Sequence, residues 1–242
     1  MLKVNVLGAT SLIGHYFVDN NCNYKLVCFS RQNKSGSNID LQNEGTFENF
    51  CCDNSFLVSF APIWLVKNLF INFNENNASK LRTLKGVIIY SSSSAITKKF
   101  AANVFDKNLS KELLSSEKII LSICKKYSIS CIVIRPTIVY GFYKGLNDKN
   151  YTGIINFFQK IPFCLIPSVT GYRQPIHFSE LSELTFSFLD KLNKSYSKDI
   201  ISKIVEVGGD EELTYSEILY RLAKLSSKQR IKRCKLIPIP NR

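Results

Sequence analysis

The stretch VNVLGATSLIG, residues 4–14, decides the fold. Its first four residues are typical of a short buried strand, and residues 12–18 carry the pattern of a helix. Gly8 permits a tight turn between the two, and Gly14 lets the helix pack closely on the strand. A strand, a glycine-bearing turn and a helix are the context of a dinucleotide site, because N–H groups at the helix start can bind a pyrophosphate.

The turn departs from the usual glycine pattern at its centre. Ser11 stands where a middle glycine is usual, and its β-carbon crowds the phosphate slightly although its hydroxyl could donate a hydrogen bond. A βα turn without a ligand is the alternative. The cofactor-binding residues that we predict in this turn are Gly8, Thr10, Ser11, Leu12, Ile13 and Gly14.

The end of the second predicted strand, residues 25–29, bears on which cofactor binds. Ser30 and Arg31 follow it, and no carboxylate is present there to bind the ribose 2′-hydroxyl of NAD. Arg31 could pair with a 2′-phosphate, which favours NADP, or it is a solvated surface arginine. Asp40 and Leu41, in a third possible strand at residues 38–41, could flank the adenine. A plain turn residue is the alternative for Asp40.

Strands and helices alternate along the first 150 residues. Strands are predicted at residues 55–61, 86–90 and 130–134, and helices at residues 64–73 and 109–127. This alternation predicts an α/β fold with a doubly wound parallel sheet, of the Rossmann type. We expect residues 1–150 to form the NAD(P)-binding domain. Residues 151–242 are expected to form a small substrate-side lobe, interleaved with the sheet and shortened at the C-terminus, with helices at 154–158, 181–192 and 212–225 and a strand at 203–207.

Composition excludes several classes of protein. Hydrophobic residues make up 45% of the 242 residues, which argues against disorder, and the apolar runs are too short to span a bilayer. Two histidines and eight cysteines without a C-x-x-C pair argue against a metal site. Without a recognisable signal peptide, we expect reduced thiols, with Cys28 and Cys131 in the core, and a cytoplasmic protein.

The formal net charge is +13 and is concentrated at the C-terminus. Residues 218–242 contain eight basic residues and no acid. Contact with nucleic acid or another anionic partner is one interpretation. We favour a solvated helix face with a loop that holds a phosphorylated small molecule, because no aromatic platform accompanies the charge.

Five motifs in order carry a resemblance to the extended and atypical short-chain dehydrogenase/reductases, the NAD-dependent epimerase/dehydratase family. They are the glycine turn at residues 8–14, GVIIYSSSSA at 86–95, IRPTIVYG at 134–141, QPIHFSEL at 174–181 and VEVGGDEEL at 205–213. The resemblance implies a Rossmann fold, an NADP cofactor with NAD as an alternative, and cofactor contacts from Ala61, Pro62 and Pro136. It also implies a nucleotide sugar or a similar carbonyl or alcohol as substrate.

The chain departs from the family at the acid/base pair. The family uses a tyrosine and a lysine at i and i+4 of one helix, which places both on the same face. Alignment through Glu117 and Arg135 puts Leu109 and Leu113 at these positions. Ser93 aligns with the active-site serine, although a strand-end serine bonded to the backbone is the alternative. Tyr140 is the nearest replacement acid. His177 aligns near the substrate lobe and is expected to be structural.

Three functions therefore stay open. The first is an NAD(P)-dependent epimerase, dehydratase or reductase in which Ser93 orients the substrate and Tyr140 carries a proton. The second is a non-catalytic NADP-binding regulatory or assembly protein, and the third is a degenerate relative whose basic tail binds an anionic macromolecule. We expect a small-molecule partner, neither a membrane nor nucleic acid as a partner, and leave a homodimer open.

Overall fold

The computed structural model describes residues 1–31, 38–50, 52–195, 200–227 and 234–240. The chain divides into two compact units. Unit 1 comprises Met1–Pro136 and Ser179–Val207, and unit 2 comprises Thr137–Phe178 and Gly208–Arg242. Each unit has its own apolar core.

A six-stranded sheet forms the centre of unit 1. Its strands in chain order are β1 (Leu2–Leu7), β2 (Tyr24–Phe29), β3 (Ser55–Ser59), β4 (Leu84–Tyr90), β5 (Ser130–Pro136) and β12 (Ser202–Val207). The spatial order is β12-β5-β4-β3-β1-β2, and every neighbouring pair is parallel. Strands β3, β4 and β5 are apolar along most of their length and almost fully buried, as a parallel sheet covered on both faces requires. The α/β fold with a parallel sheet is thereby confirmed.

The strand order reverses next to β1, and this reversal positions the site. From β1 the chain moves outward to β2 and then crosses back to β3 on the other side of β1. In sheets of this kind, ligands bind beyond the carboxyl ends of the strands at such a switch point. The turns after β1 and β3 therefore flank the expected ligand position.

Helices α1 to α5 and α7 belong to unit 1. They are α1 (Leu12–Asp19), α2 (Ile63–Asn76), α3 (Ala78–Arg82), α4 (Ser94–Thr97), α5 (Val104–Lys126) and α7 (Phe178–Ser195), the last beginning on the final residue of a unit 2 segment. A 3₁₀ helix spans Glu44–Asn49. The long helix α5 begins five residues before the predicted start, because the Asn103 side chain caps it by accepting from the Asp106 N–H at 2.7 Å. Hydrophobic periodicity could not reveal this first turn, since Val104 and Phe105 point to solvent.

Unit 2 is built from two helices and short strand pairs. Its elements are β6 (Val139–Tyr140), β7 (Phe142–Tyr143), β8 (Leu146–Asn147), α6 (Asn150–Phe158), β9 (Phe163–Pro167), β10 (Tyr172–Arg173), β11 (Ile176–His177), β13 (Leu213–Thr214), α8 (Tyr215–Ser227) and β14 (Lys235–Ile239). Helices α6 and α8 share an apolar core with the parallel pair β9 and β14. Thr214 caps α8 in a reciprocal capping box with Glu217.

The prediction of a third strand at residues 38–41 is wrong. Only one isolated bridge, Ser30 to Asn38, pairs this segment with its neighbour. The backbone then turns, because Thr46 bonds to both the N–H and the carbonyl of Asp40. The turn chemistry of Asp40 prevails over strand formation in this segment.

The described cysteines are all free thiols. Cys131 is buried as predicted, whereas Cys28 is only partly buried. Among the helices within the described ranges, none combines the length and the apolar character needed to cross a bilayer.

Candidate functional site

The turn between β1 and α1 packs tightly against the end of β3. Gly8 has a φ of +73°, and a β-carbon there would lie 2.6 Å from the backbone nitrogen of Ala61. A β-carbon on Gly14 would overlap the carbonyl oxygen of Gly8. Both positions therefore require glycine for steric reasons.

Ser11 acts as the N-cap of α1. Its hydroxyl oxygen accepts a hydrogen bond from the Gly14 N–H at 3.1 Å, and its own N–H donates to the Gly8 carbonyl at 3.0 Å. The hydroxyl that stands in for the middle glycine is thus held against the helix. Its proton remains available to donate to an anion at this end.

The start of α1 can hold the negative groups of a dinucleotide. The N–H groups of Leu12 and Ile13 lie in the first helical turn, where no preceding turn supplies a carbonyl partner. Thr10 is exposed just before them, and no acidic residue lies in the first turn of the helix. These features, with the two required glycines, fit a pyrophosphate.

Ser30 and Arg31 follow β2 on the same edge of the sheet. Arg31 is exposed, and the Ser30 carbonyl accepts from the Ile39 N–H at 3.3 Å. Asp40 has a different role, because its Oδ1 atom accepts from the Gln42 N–H at 3.0 Å within the turn. Leu41 packs against the core of unit 1. Asp40 therefore has the turn role given as its alternative, and the contact of Asp40 and Leu41 with the adenine stays a prediction.

Ala61 and Pro62 lie after β3, on the opposite side of β1 from Arg31. Ala61 is buried, and its N–H donates to the Ser59 hydroxyl at 3.3 Å. Pro62 is exposed and precedes the first residue of α2. The fold thus brings the Gly8 turn and the Ala61 segment together, although they are over 50 residues apart in sequence.

Ser93 and Pro136 meet at the ends of β4 and β5. The Ser93 N–H donates to the Pro136 carbonyl at 3.0 Å. Ser93 occupies the N-cap position of α4, yet its hydroxyl makes no cap bond and no other hydrogen bond to the described residues. This half-buried hydroxyl is thus unused by the local backbone.

A buried ionic network lies next to Pro136, because it includes the preceding residue of β5, Arg135. It was not predicted as part of the site. Glu117 on α5 accepts from Arg135 on β5 at 2.9 Å and 2.5 Å, and Ser91 donates to the same carboxylate. Glu206 on β12 completes the network at 3.3 Å from Arg135. The Glu117 carboxylate raises the pKa of Arg135. The available signal was a charged residue on the apolar stripe of α5 and another in an apolar strand, which indicates that the two pair.

Leu109 and Leu113 lie on the face of α5 that packs on the core of unit 1. Leu113 is 3% exposed, and Leu109 is partly buried against the same cluster. Neighbouring Ser110 is also buried and donates to the Ala95 carbonyl at 2.6 Å, which fixes α4 against α5. The two leucines therefore have a packing role.

Tyr140 and His177 lie together in unit 2. They are register partners of the parallel pair β6 and β11, and their ring centroids are 5.3 Å apart. The Tyr140 ring also lies 6.1 Å from that of Tyr151. Gly141 follows with a φ of +130°, and a β-carbon there would collide with the Phe178 ring. Tyr140 is thus set in an aromatic cluster of unit 2, while Ser93 belongs to unit 1.

Comparison with known proteins identifies the fold. No protein-family model matches the chain, and no curated protein matches it in sequence. Among solved structures, it resembles the UDP-glucuronic acid 4-epimerase of Bacillus cereus in complex with NAD, with 18% identity, a TM-score of 0.70, and coverage of 99% of this chain and 86% of that one. MoeE5 in complex with UDP-glucuronic acid and NAD is similar at 17% identity, with a TM-score of 0.69 and coverage of 99% and 86%.

A third solved structure with a similar fold contains NADPH instead of NAD. RMD of Pseudomonas aeruginosa, complexed with NADPH, shares 10% identity at a TM-score of 0.66, with 98% of this chain and 87% of that chain covered. At these identities the likeness establishes the fold alone. The six-stranded parallel sheet of unit 1 is therefore the Rossmann arrangement that these proteins share.

Proposed function

We propose that this protein binds NADP in preference to NAD and acts on a nucleotide sugar or a similar carbonyl or alcohol substrate, as an epimerase, dehydratase or reductase. The observation that carries the proposal is the packing of the Gly8 turn against Ala61 at the switch point of the sheet. Solved chains with this fold hold NAD or NADPH and, in several cases, a sugar nucleotide.

The preference for NADP is argued from charge. Arg31 is exposed immediately after β2, and neither Ser30 nor Arg31 supplies the carboxylate that would favour NAD. A guanidinium donates two parallel hydrogen bonds to a phosphate, which is a strong and directional contact. We therefore assign Arg31 to the 2′-phosphate.

In the catalytic interpretation, a bound nicotinamide supplies hydride acceptance and donation. Ser93 donates a hydrogen bond to a substrate oxygen, since its hydroxyl is not used by the backbone. Pro136, held by the Ser93 N–H, bounds the nicotinamide side of the pocket. Tyr140 is assigned the proton exchange that the family tyrosine would perform.

A second candidate is a non-catalytic NADP-binding protein. It is favoured by Leu109 and Leu113, which pack where the resemblance expects the tyrosine and the lysine. In this case the cofactor would bind with the same preference, but no substrate would turn over. Binding and turnover must therefore be measured separately.

The binding experiment can use the single tryptophan of the chain. Trp64 lies in the first turn of α2, two residues after Pro62, and is 36% exposed. We expect NADPH to quench its fluorescence by energy transfer, with calorimetry as an independent check. NADPH should bind about 10- to 100-fold more tightly than NADH, which corresponds to a charged hydrogen bond of about 1.5–3 kcal/mol.

Arg31→Ala should remove this preference while leaving NADH binding unchanged. Lys25→Ala is the matched control, because Lys25 is an exposed cation at the other end of the same strand. If none of NADPH, NADP, NADH and NAD binds the wild-type protein, the proposal is wrong. Equal affinity for NADPH and NADH would overturn the role of Arg31 alone.

Turnover distinguishes the two candidates. UDP-glucose and UDP-glucuronic acid are the first substrates to test, with product detected by chromatography. Ser93→Ala should lower kcat by about 10- to 100-fold while the NADPH dissociation constant stays within twofold. Tight NADPH binding with no turnover of either compound would support the non-catalytic candidate.

A further inference from the structure

We propose that the hairpin formed by α4 and the start of α5 docks on an anionic lipid surface. The hairpin belongs to unit 1 and begins directly after Ser93, at the end of β4. The proposal does not rest on the proposed enzymatic function. It depends on an unusual combination of exposed apolar and basic side chains in residues 94–111.

Four large apolar side chains protrude from this hairpin, and together they are called the apolar tip. Their exposed fractions are 49% for Ile96, 87% for Phe100, 71% for Val104 and 77% for Phe105. Isolated exposed apolar residues are ordinary, but four within ten residues indicate an interaction surface.

Three contacts within the hairpin hold α4 and the start of α5 together, so the apolar tip is a built feature. Ser110 donates to the Ala95 carbonyl at 2.6 Å, which joins α4 to α5. Lys98 forms an ion pair with Asp106 at 2.6 Å across the connection. Asn103 caps the first turn of α5. These contacts fix the backbone of the hairpin from which the exposed side chains project.

The charges around the apolar tip indicate what covers it. The segment 94–111 contains four lysines, at positions 98, 99, 107 and 111, and a single acid, Asp106, which is neutralised by Lys98. The Lys99 ammonium lies 5.4 Å from the centroid of the Phe100 ring. A second copy of the same basic face would be repelled, whereas an anionic surface would be attracted.

A lipid surface fits the shape of this feature better than a folded partner does. The side chains project from α4, from the connection and from the first turn of α5. A protein partner would need a matching groove for them, while the headgroup region of a bilayer accepts protruding side chains without one. Aromatic and basic residues together are typical of segments that lie in the membrane interface. The expectation that a membrane is no partner rests on span length, which does not bear on a surface contact.

The test is sedimentation of the full-length protein with vesicles. Wild-type protein should bind vesicles of phosphatidylcholine with 30% phosphatidylglycerol at 50 mM NaCl, and binding should weaken at least tenfold at 300 mM NaCl. Vesicles of phosphatidylcholine alone should bind at least tenfold more weakly. Phe100→Ser with Phe105→Ser should reduce binding at least tenfold, and so should Lys99→Glu with Lys107→Glu.

Leu165→Ser is the matched control, since Leu165 is also a large exposed apolar side chain, at 56%, but belongs to unit 2. It should bind as the wild type does, and circular dichroism should show that all variants are folded. No binding of the wild type to anionic vesicles at low salt would overturn the proposal. Equal binding by the wild type and by both double variants would also overturn it. The same holds if the wild type forms a dimer and binds no vesicles, and Phe100→Ser with Phe105→Ser converts that dimer to a monomer.

Discussion

Glu117 and Arg135 form a bidentate ion pair in the interior of unit 1. Arg135 Nε lies 2.9 Å from Oε1 of the Glu117 carboxylate, and Nη2 lies 2.5 Å from Oε2. Glu117 is 2% exposed and Arg135 is 6% exposed. The pair joins the long helix α5 to strand β5 just below the strand ends where Ser93 and Pro136 meet. Ser91 donates to the same carboxylate, so the pair also fixes the path of the chain as it leaves β4.

Glu117→Gln should destabilise the protein by about 3–5 kcal/mol, because it leaves the Arg135 charge buried without its main partner. Urea unfolding followed by circular dichroism measures this change. Glu206→Gln is the control, since Glu206 is 63% exposed on its side of the same arginine and should cost less than about 1 kcal/mol. If both variants lose the same free energy of unfolding, burial does not determine how much each ion pair contributes to stability.

Local patterns were sufficient to predict the fold of unit 1. The β-branched runs at residues 86–90 and 130–134 and the glycine turn after β1 each indicated their elements. The alternation of strands and helices indicated parallel pairing, although it did not indicate the order of the strands. Residues 38–41 were misassigned because the side-chain hydrogen bonds of Asp40 and Thr46 stabilise a turn. The two-residue strands of unit 2 were not predictable, since they leave no period to detect.

The geometry of the candidate site was predictable only where it depends on residues adjacent in sequence. Gly8 could be predicted because the strand and helix that flank it are adjacent in sequence. The contact of Gly8 with Ala61 depends on strand order, which local patterns do not specify. The role of Glu117 likewise depends on Arg135, 18 residues away on a different element.

Gly8→Ala should both destabilise the protein and abolish cofactor binding. The new β-carbon would lie 2.6 Å from the Ala61 nitrogen, in a backbone conformation that already disfavours side chains. Gly145→Ala is the matched control, because Gly145 also has a positive φ, +84°, but nothing lies within 4 Å of its β-carbon position. Gly145→Ala should cost about 1–2 kcal/mol from the backbone alone, and Gly8→Ala about 2 kcal/mol more. If urea unfolding shows a similar loss of free energy of unfolding for both variants, the Gly8 turn does not approach the Ala61 backbone closely.

Two buried tyrosines should respond in opposite ways to loss of the hydroxyl group. Tyr151 is 7% exposed, and its hydroxyl has no hydrogen-bond partner among the described residues. Tyr90 is 6% exposed, and its hydroxyl donates to the Leu181 carbonyl at 2.8 Å. Tyr151→Phe should therefore leave stability unchanged or raise it by up to about 1 kcal/mol, whereas Tyr90→Phe should lower it by about 1–2 kcal/mol. Thermal unfolding of both variants tests the contrast, which fails if Tyr151→Phe is the more destabilising change.

Alkaline pH should unfold the protein through its buried phenols. Burial raises the pKa of Tyr24, Tyr90 and Tyr151 above the ordinary value, and for Tyr24 a hydrogen bond to Asp190 raises it further. For Tyr151, burial and the nearby Asp148 carboxylate raise the pKa to about 12. An unfolded chain releases these protons near pH 10, so the folded state binds more protons above that pH.

The stabilising contribution of these phenols is therefore complete below about pH 10 and is lost as the pH rises toward 12. Urea unfolding at pH 8, 9, 10 and 11 should give a free energy of unfolding that falls over the last step, together with a cooperative rise in tyrosinate absorbance at 295 nm. Tyr151→Phe should reduce the loss between pH 10 and 11, because one of the responsible groups is then absent. Full tyrosinate absorbance near pH 10 in a protein that remains folded would contradict the raised pKa values.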